Sequence, residues 1–264
     1  MFLQEFPIWL THLISIFLGL IVGSFLNVVI LRLPKKLSVV YPASRCPQCD
    51  QAIRWYDNLP VVSYLFLRGK CRFCQNKISI QYPIIEILTA VLFLAMRIRF
   101  GWGPSLFLRD WPFASLLVAI AFIDLEHRII PDVLSLGGLV FGLLTCLLAT
   151  DLSWMQCFLG ALFGFSAFYL LAWTYQRLTG RSGLGGGDIK LLAMLGAFVG
   201  PAGVFATIFI SSILGSLVGL GWALVARNNN VMKFSIPFGP FLVIGALYYY
   251  LLGDILWFQF MIPM

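Results

Sequence analysis

The sequence predicts an all-α polytopic membrane protein with about eight transmembrane helices and a small cytoplasmic zinc-ribbon-like domain. Three observations predict this fold class. Hydrophobic residues make up 60% of the 264 residues and charged residues only 11%, whereas soluble domains carry about 25% charged residues. Eight apolar runs follow one another along the chain. Between the first two runs, four cysteines stand in two Cys-x-x-Cys pairs.

The apolar runs are predicted to be transmembrane helices, which need about 20 residues each. The first run follows Glu5 rather than a basic segment and lacks a small-residue cleavage site, so we expect a retained helix and not a signal peptide. The third and sixth runs are short, and six or seven helices remain the alternative. The eight runs are residues 8–31, 83–100, 111–123, 133–150, 154–176, 188–200, 202–226 and 237–260.

The distribution of basic residues predicts which side of the membrane each loop faces. With eight helices, the loops on one side and their flanks hold 15 of the 18 Lys and Arg residues. The exceptions are Arg97, Arg99 and Arg109. Basic loops stay in the cytoplasm, so we expect both termini to lie on the opposite side of the membrane. The net charge of +7 is therefore attributed to topology and anionic lipid, not to nucleic acid.

Three regions are predicted: a first transmembrane helix at 1–31, a cytoplasmic zinc-binding domain at 32–82, and a transmembrane catalytic domain at 83–264. The middle region is too small for a stable core of its own. A bound metal would stabilise it, and its cysteines supply four predicted zinc ligands: Cys46, Cys49, Cys71 and Cys74. Four thiolates at this spacing bind structural zinc in a closed tetrahedron. A disulfide or redox-active pair is the alternative, disfavoured in a reducing cytoplasm.

The remaining two cysteines, Cys146 and Cys157, stand alone in apolar surroundings. Free cysteine behaves there as a small hydrophobic residue. We expect both to be inert packing residues.

Asp124 and Asp188 adjoin the ends of the two short apolar runs, and both are predicted on the cytoplasmic face. Ionisable residues at membrane depth are usually functional. Three glycines precede Asp188 and would let an extended substrate approach its carboxylate. The alternatives are purely structural: Asp188 would cap a helix, and Asp124 would be a helix-end carboxylate in interfacial water.

Two converging aspartates predict an aspartic dyad that hydrolyses a peptide bond. Like charges a few ångströms apart share one proton, so one carboxylate activates water and the protonated partner donates to the carbonyl oxygen. Asp132 follows Pro131 and is expected to cap the next helix. Glu126 and His127 are interpreted as interfacial polar residues. The two histidines fall on opposite faces, so serine and cysteine peptidase sites are weak alternatives.

These motifs, in this order, resemble the bacterial type IV prepilin peptidases over nearly the whole chain. The resemblance rests on residues 23–34 (GSFLNVVILRLP), the two cysteine pairs, residues 68–71 (RGKC), Tyr82-Pro83-x-x-Glu86, the stretch from Asp124 to Asp132, and Gly185-x-Gly187-Asp188-x-Lys190. Gly186 occupies the variable position of the last motif, a mild departure that makes the loop more flexible.

The resemblance implies two activities on prepilins and pseudopilins of type IV pili or type II secretion. Asp124 and Asp188 would cleave the basic leader after a glycine at the cytoplasmic boundary, with Asp132 in support. The new N-terminal amine would then be methylated with S-adenosylmethionine. The resemblance ties the zinc domain to methylation and places Gly69 and Lys70 in the methylation region. The residues alone locate no donor pocket.

Three other functions compete with this interpretation. A transporter or proton relay would also use intramembrane acids, but the acids lie at one face and no inverted repeat is apparent. A zinc scaffold without activity would leave the glycine loop at Asp188 unexplained. A presenilin-like peptidase would act on other membrane substrates, and the zinc domain favours the prepilin branch.

Overall fold

The structure is a computed structural model that describes residues 7–149, 152–180, 183–225 and 237–261, with backbone only for residues 55, 225 and 254–261. Within these ranges the protein is all-α, as predicted, and two isolated bridges are its sole β-type pairings. The helices are α1 (Ile8–Arg32), α2 (Val62–Phe66), α3 (Gln81–Phe100), α4 (Trp111–His127), α5 (Asp132–Thr145), α6 (Trp154–Thr179), α7 (Gly186–Val225) and α8 (Gly239–Met261).

In the part of the chain that the structure describes, four helical segments are long and apolar enough to cross a membrane: Ile8–Lys35, Leu106–His127, Trp154–Thr179 and Gly186–Leu224. Two shorter apolar segments, Asp132–Leu148 and Gly239–Gly253, accompany them. Lipid offers no partners to backbone polar groups, which helices satisfy internally. The protein is therefore an integral membrane protein, and its number of crossings stays a prediction.

Helix α7 contains the sixth and seventh predicted runs, and a break divides it. Gly200 has φ 67° and ψ −179°, which is outside helical geometry, and Pro201 follows it. Proline lacks an N–H and clashes with the preceding turn, so it starts a new helical piece. The break falls at the boundary between the two predicted runs.

The described chain divides into two compact units, Met1–Ala119 and Ile120–Met264. In the first unit, α1 packs along α3. Gly19 and Gly23, one turn apart on α1, lie against the backbone of Ala90 and Glu86. Small residues at this spacing let two helices approach closely in a membrane.

In the second unit, α7 is the central helix, and α5, α6 and α8 all pack on it. Gly160 and Gly164 of α6 meet the α7 backbone at Gly196 and Leu192, where a methyl group would have no room. This is the same close packing through glycine pairs as in the first unit. The arrangement fixes the first turn of α7, which carries Asp188.

Candidate active site

Asp124 lies in the last turn of α4 and is buried, with 5% of its surface exposed. The backbone N–H of Gly239 donates to its Oδ2 over 2.9 Å. Gly239 is the first residue of α8, so the carboxyl group sits at a helix N-terminus, where unpaired N–H groups point outward. Asp124 is therefore held inside the protein, whereas the structural alternative requires it to reach interfacial water.

Asp188 lies in the first turn of α7, and its own N–H donates to the carbonyl of Gly185 over 3.1 Å. It is the third residue of the helix, which begins at Gly186, so the capping alternative is not what the structure has. The start of α7 lies beside the segment that follows Asp124, because Nζ of Lys190 is 2.6 Å from Oδ1 of Asp132. The fold thus brings the two predicted carboxylates, 64 positions apart in sequence, to one region of the second unit.

The glycines before Asp188 differ in how much space surrounds them. A methyl group on Gly185 would lie 3.1 Å from Oδ2 of Asp188, and one on Gly187 would lie 3.1 Å from Cβ of Ile130. A methyl group on Gly186 would meet nothing within 4 Å. A side chain at either outer position would therefore make its neighbour shift, and the middle position is open.

Two charged side chains near the dyad form an ion pair that the sequence did not predict. Nζ of Lys190 lies 2.6 Å from Oδ1 of Asp132. The prediction that Asp132 caps α5 was wrong, because the helix begins at Asp132 itself and Pro131 stands at the capping position. As the first helical residue, Asp132 turns its side chain to Lys190, which joins the starts of α5 and α7.

The four predicted zinc ligands come together in the first unit. The sulfur atoms of Cys46, Cys49, Cys71 and Cys74 all lie within 4.8 Å of one another. Those of Cys46 and Cys74 are 3.9 Å apart. Sulfurs bound to one tetrahedral zinc at about 2.3 Å are separated by about 3.8 Å. The cluster therefore has the dimensions of a tetrahedral metal site.

Both halves of the cysteine cluster are built in the same register. Cys46 N–H bonds the carbonyl of Gln51, and Cys71 N–H bonds that of Asn76. Asp50 directly follows the first cysteine pair and Gln75 directly follows the second, and both have positive φ. In the second half, the backbone N–H groups of Cys74 and Phe73 lower the pKa of the Cys71 thiol to about 7. Backbone donors of this kind favour the thiolate that a metal needs.

An ion pair between the exposed Arg72 and the largely buried side chain of Asp57 lies beside this cluster. Nε of Arg72 donates to Oδ2 of Asp57 over 2.9 Å, and Nη2 donates to Oδ1 over 2.6 Å. The Arg72 guanidinium holds the pKa of Asp57 below its usual value. Because the folded pKa is lowered, the stabilisation is present at neutral pH and is lost as the pH falls through that lowered pKa.

A cavity of about 210 Å³ lies in the first unit, beside the cysteine cluster. Its wall includes Asn27, Tyr64, Phe73 and Glu86. Glu86 is 7% exposed, and its Oε2 accepts the backbone N–H of Val61 over 2.7 Å. The cavity therefore combines aromatic surface with a buried carboxylate.

Gly69 is predicted in the methylation region, and it packs against this cavity's wall. It has φ +66°, and a methyl group on it would lie 2.9 Å from the hydroxyl oxygen of Tyr64. The neighbouring Lys70 is exposed and bridges Lys77 through the backbone. Neither residue lines the cavity, but Gly69 touches one that does.

Two family profiles match the chain. Residues 17–100 match the Bacterial Peptidase A24 N-terminal domain, and residues 111–220 match the Type IV leader peptidase family. The prepilin leader peptidase/N-methyltransferase of Aeromonas hydrophila is 38% identical over an alignment that covers 93% of this chain and 92% of that relative. The chain belongs to the type IV leader peptidase family.

Other relatives in the type IV leader peptidase family agree. The prepilin leader peptidase/N-methyltransferase of Pseudomonas aeruginosa is 37% identical over 92% of this chain and 90% of its own. That of Myxococcus xanthus is 42% identical over 77% of this chain and 60% of its own. No solved structure matches the chain. The resemblance drawn from the motifs is confirmed.

The structure adds Gly239 to the site of this family member, a residue that sequence reasoning missed. It lies 115 positions after Asp124 and beyond the matched residues 111–220. A methyl group on it would lie 2.6 Å from Oδ2 of Asp124. The Gly-Pro pair at a helix start was the available signal, but it marks helix starts in general.

The prediction for Cys146 and Cys157 was wrong. The two cysteines form a disulfide with 6.5 Å between their Cα atoms, and both are buried. They look solitary in sequence because 11 positions separate them. The packing of α5 and α6 on α7 places the two cysteines side by side.

Proposed function

We propose that this leader peptidase cleaves the basic leader from prepilins and pseudopilins, and that it then N-methylates the new N-terminal residue. The observation that carries the proposal is the pairing of Asp124 and Asp188 beside an open glycine loop. The named relatives support both activities, because each is a prepilin leader peptidase/N-methyltransferase.

The cleavage step follows from two carboxyl groups that share one proton. The ionised carboxylate accepts a proton from water, whose oxygen attacks the scissile carbonyl carbon. The protonated carboxyl group donates its proton to the carbonyl oxygen, which gives a tetrahedral diol. Collapse of the diol breaks the C–N bond and returns a proton to the departing amine. The two titrations belong to the pair.

Gly239 and the glycine loop prepare this geometry. The Gly239 N–H fixes one oxygen of Asp124, so the other oxygen is the one that faces a reactant. Gly186 leaves space at the start of α7, where an extended peptide backbone needs close approach. Positioned groups of this kind convert binding energy into rate.

Acidic side chains near the dyad provide an attraction for the basic leader. Glu126 lies two residues after Asp124 and 3.6 Å from His127. Asp132 has its charge offset by Lys190, so we assign leader binding to Glu126 and the supporting role of Asp132 to joining α5 and α7. Arg128 opposes the attraction in part.

Zinc is proposed at the four cysteines. Four thiolates leave no open coordination position, so the ion would link the two halves of the module and take no part in hydrolysis. The number, type and spacing of the four ligands fit a zinc ion: Cys46, Cys49, Cys71 and Cys74.

We assign the methyl-donor site to the cavity beside this cluster. S-adenosylmethionine carries an activated methyl group on a positively charged sulfonium. Glu86 would face that charge, and Tyr64 and Phe73 offer aromatic surfaces to a cation or a base. Gly69 and Lys70 belong to the methylation region through their neighbours, since Gly69 sets the position of Tyr64.

The deciding experiment uses the purified full chain in detergent with a prepilin. We expect the leader to be released after a glycine and, with S-adenosylmethionine present, the mature product to gain one methyl group by mass spectrometry. Asp124→Asn and Asp188→Asn should each lower the cleavage rate by about 10²- to 10⁴-fold and leave bound zinc unchanged. Normal trimming by the Asp188→Asn protein would refute the mechanism.

A further inference from the structure

Helices α5 and α6 run away from the two aspartates and back again. α5 begins at Asp132, and Cys146 follows its last residue. Its 14 residues span about 21 Å at 1.5 Å per residue. Cys157 lies in the first turn of α6, the helix that returns toward α7. The disulfide therefore lies at the end of this helix pair that is remote from the dyad.

The charge pattern along this helix pair separates its two ends. No Lys or Arg occurs from Ile129 to Gln176. Arg128, Arg177 and Lys190 all fall at the aspartate end. Basic residues are retained on the cytoplasmic side. The turn with the disulfide therefore faces the exterior.

We propose that Cys146 and Cys157 are an oxidation site on the exterior face, where a thiol oxidant of that compartment joins their sulfur atoms in a disulfide. The chain then carries two cysteine populations in opposite redox states: four cytoplasmic thiolates for a metal and two exterior sulfurs in a disulfide. Disulfides form in the periplasm and are rare in the cytosol. This proposal goes beyond the proposed function and does not depend on it.

The oxidation is an exchange with a disulfide of the oxidant. One cysteine thiolate attacks a sulfur of that disulfide and forms a mixed disulfide. The second thiolate then attacks the first cysteine's sulfur, and the oxidant leaves as a dithiol. Two protons are released from the cysteines and two electrons pass to the oxidant, whose sulfurs take up protons as thiols.

The bridge links two helices that otherwise touch each other little. α5 and α6 each pack mainly on α7. A capping box at Ser153 and Gln156 orders the start of α6 beside Cys157. The disulfide adds a direct covalent tie between α5 and α6. We therefore expect it to stabilise the second unit without touching the reacting groups.

The test counts free thiols in the full chain made in bacteria. Membranes are dissolved in denaturant with a chelator, and thiols are tagged with a maleimide–polyethylene glycol reagent. With six cysteines and one disulfide, we expect four tags before reduction and six after. The Cys146→Ser variant should take five tags in both conditions, and the Cys146→Ser/Cys157→Ser variant four. Six tags on the unreduced wild type would overturn the proposal.

A second arm tests the compartment. A reductant that does not cross the inner membrane is added to the cells before expression begins. We expect the new protein to take six tags without further reduction. Four tags under this treatment would overturn exterior oxidation.

A third arm tests the bracing role. The double serine variant and the reduced wild type should both melt about 5 °C or more below the oxidised wild type. Prepilin cleavage at 20 °C should stay within about twofold, because the bridge lies away from the dyad. Equal melting temperatures in all three samples would refute the bracing role.

Discussion

At the scale of single residues, the dyad depends on a contact that no sequence pattern signals. The sequence singles out Asp124 and Asp188 as the proposed pair, because a carboxylate beside an apolar run is costly unless it is used, and their catalytic role stays a prediction. Gly239 was not predictable. Its role arises from the N–H at the start of α8 and from its lack of a side chain next to Asp124, and both depend on three-dimensional placement.

Gly239→Ala should impair cleavage, because its methyl group would lie 2.6 Å from Oδ2 of Asp124. A displacement of a catalytic group by about 1 Å costs on the order of 10²-fold in rate. The matched control is Gly137→Ala in α5, whose methyl group meets nothing within 4 Å and should change the rate less than about twofold. The leader-release rate is measured for both variants, together with the melting temperature. Equal rates in the two variants would contradict the role assigned to Gly239.

A second residue pair tests the methyl-donor cavity. Gly69→Ala would press on the hydroxyl of Tyr64 at 2.9 Å, and we expect methyl transfer to fall by at least about tenfold while cleavage persists. Gly101→Ala is the control: Gly101 also has positive φ, at +79°, but nothing lies within 4 Å. Donor binding by calorimetry and methyl incorporation are measured in parallel. If both variants bind the donor as well as the wild type, the cavity assignment fails.

At the scale of elements, apolar runs predicted the helices well and the ends of helices less well. The sixth and seventh runs met at Gly200, where α7 breaks, because Gly-Pro is a strong local signal. The start of α5 was misassigned by one position, since Pro131 rather than Asp132 precedes the helix. The disulfide was missed because the pairing of its cysteines depends on how α5 and α6 pack in three dimensions.

The cysteine cluster provides the prediction at this scale. Cys46→Ser should remove bound zinc and abolish methylation, because losing one thiolate opens a four-ligand site. Cleavage should persist, since the dyad lies in the other unit. The Cys146→Ser/Cys157→Ser variant is the control and should keep its zinc. Metal content by mass spectrometry, leader release and methyl incorporation decide the outcome. Zinc retained at the wild-type level in Cys46→Ser would contradict the four-ligand assignment.

At the scale of the whole molecule, the all-α membrane fold followed from composition, because a chain with 11% charged residues cannot cover a soluble surface. The division into two units did not follow. The predicted regions, which change after residues 31 and 82, stay a prediction, and the compact units divide in sequence after Ala119. Composition records where a loop is polar, and compactness depends on which helices pack together.

Orientation is tested on the intact protein. Alkaline phosphatase, which is active only outside the cytoplasm, is fused after residue 264 and, separately, within residues 32–82. The basic loops predict activity for the first fusion and none for the second. Fluorescent protein fusions at the same points should give the opposite pattern. If alkaline phosphatase fused after residue 264 were inactive, the chain would have an odd number of membrane crossings or the reverse orientation.

The glycine contacts of α1 affect the cavity beside the cysteine cluster. Gly23 lies against Glu86, and a methyl group there would lie 2.6 Å from the Glu86 Cα. One added carbon would act as a wedge between α1 and α3 and would push the buried acid away from its bond to Val61. The spacing of two apolar helices therefore governs the position of the buried Glu86 carboxylate in the wall of this cavity.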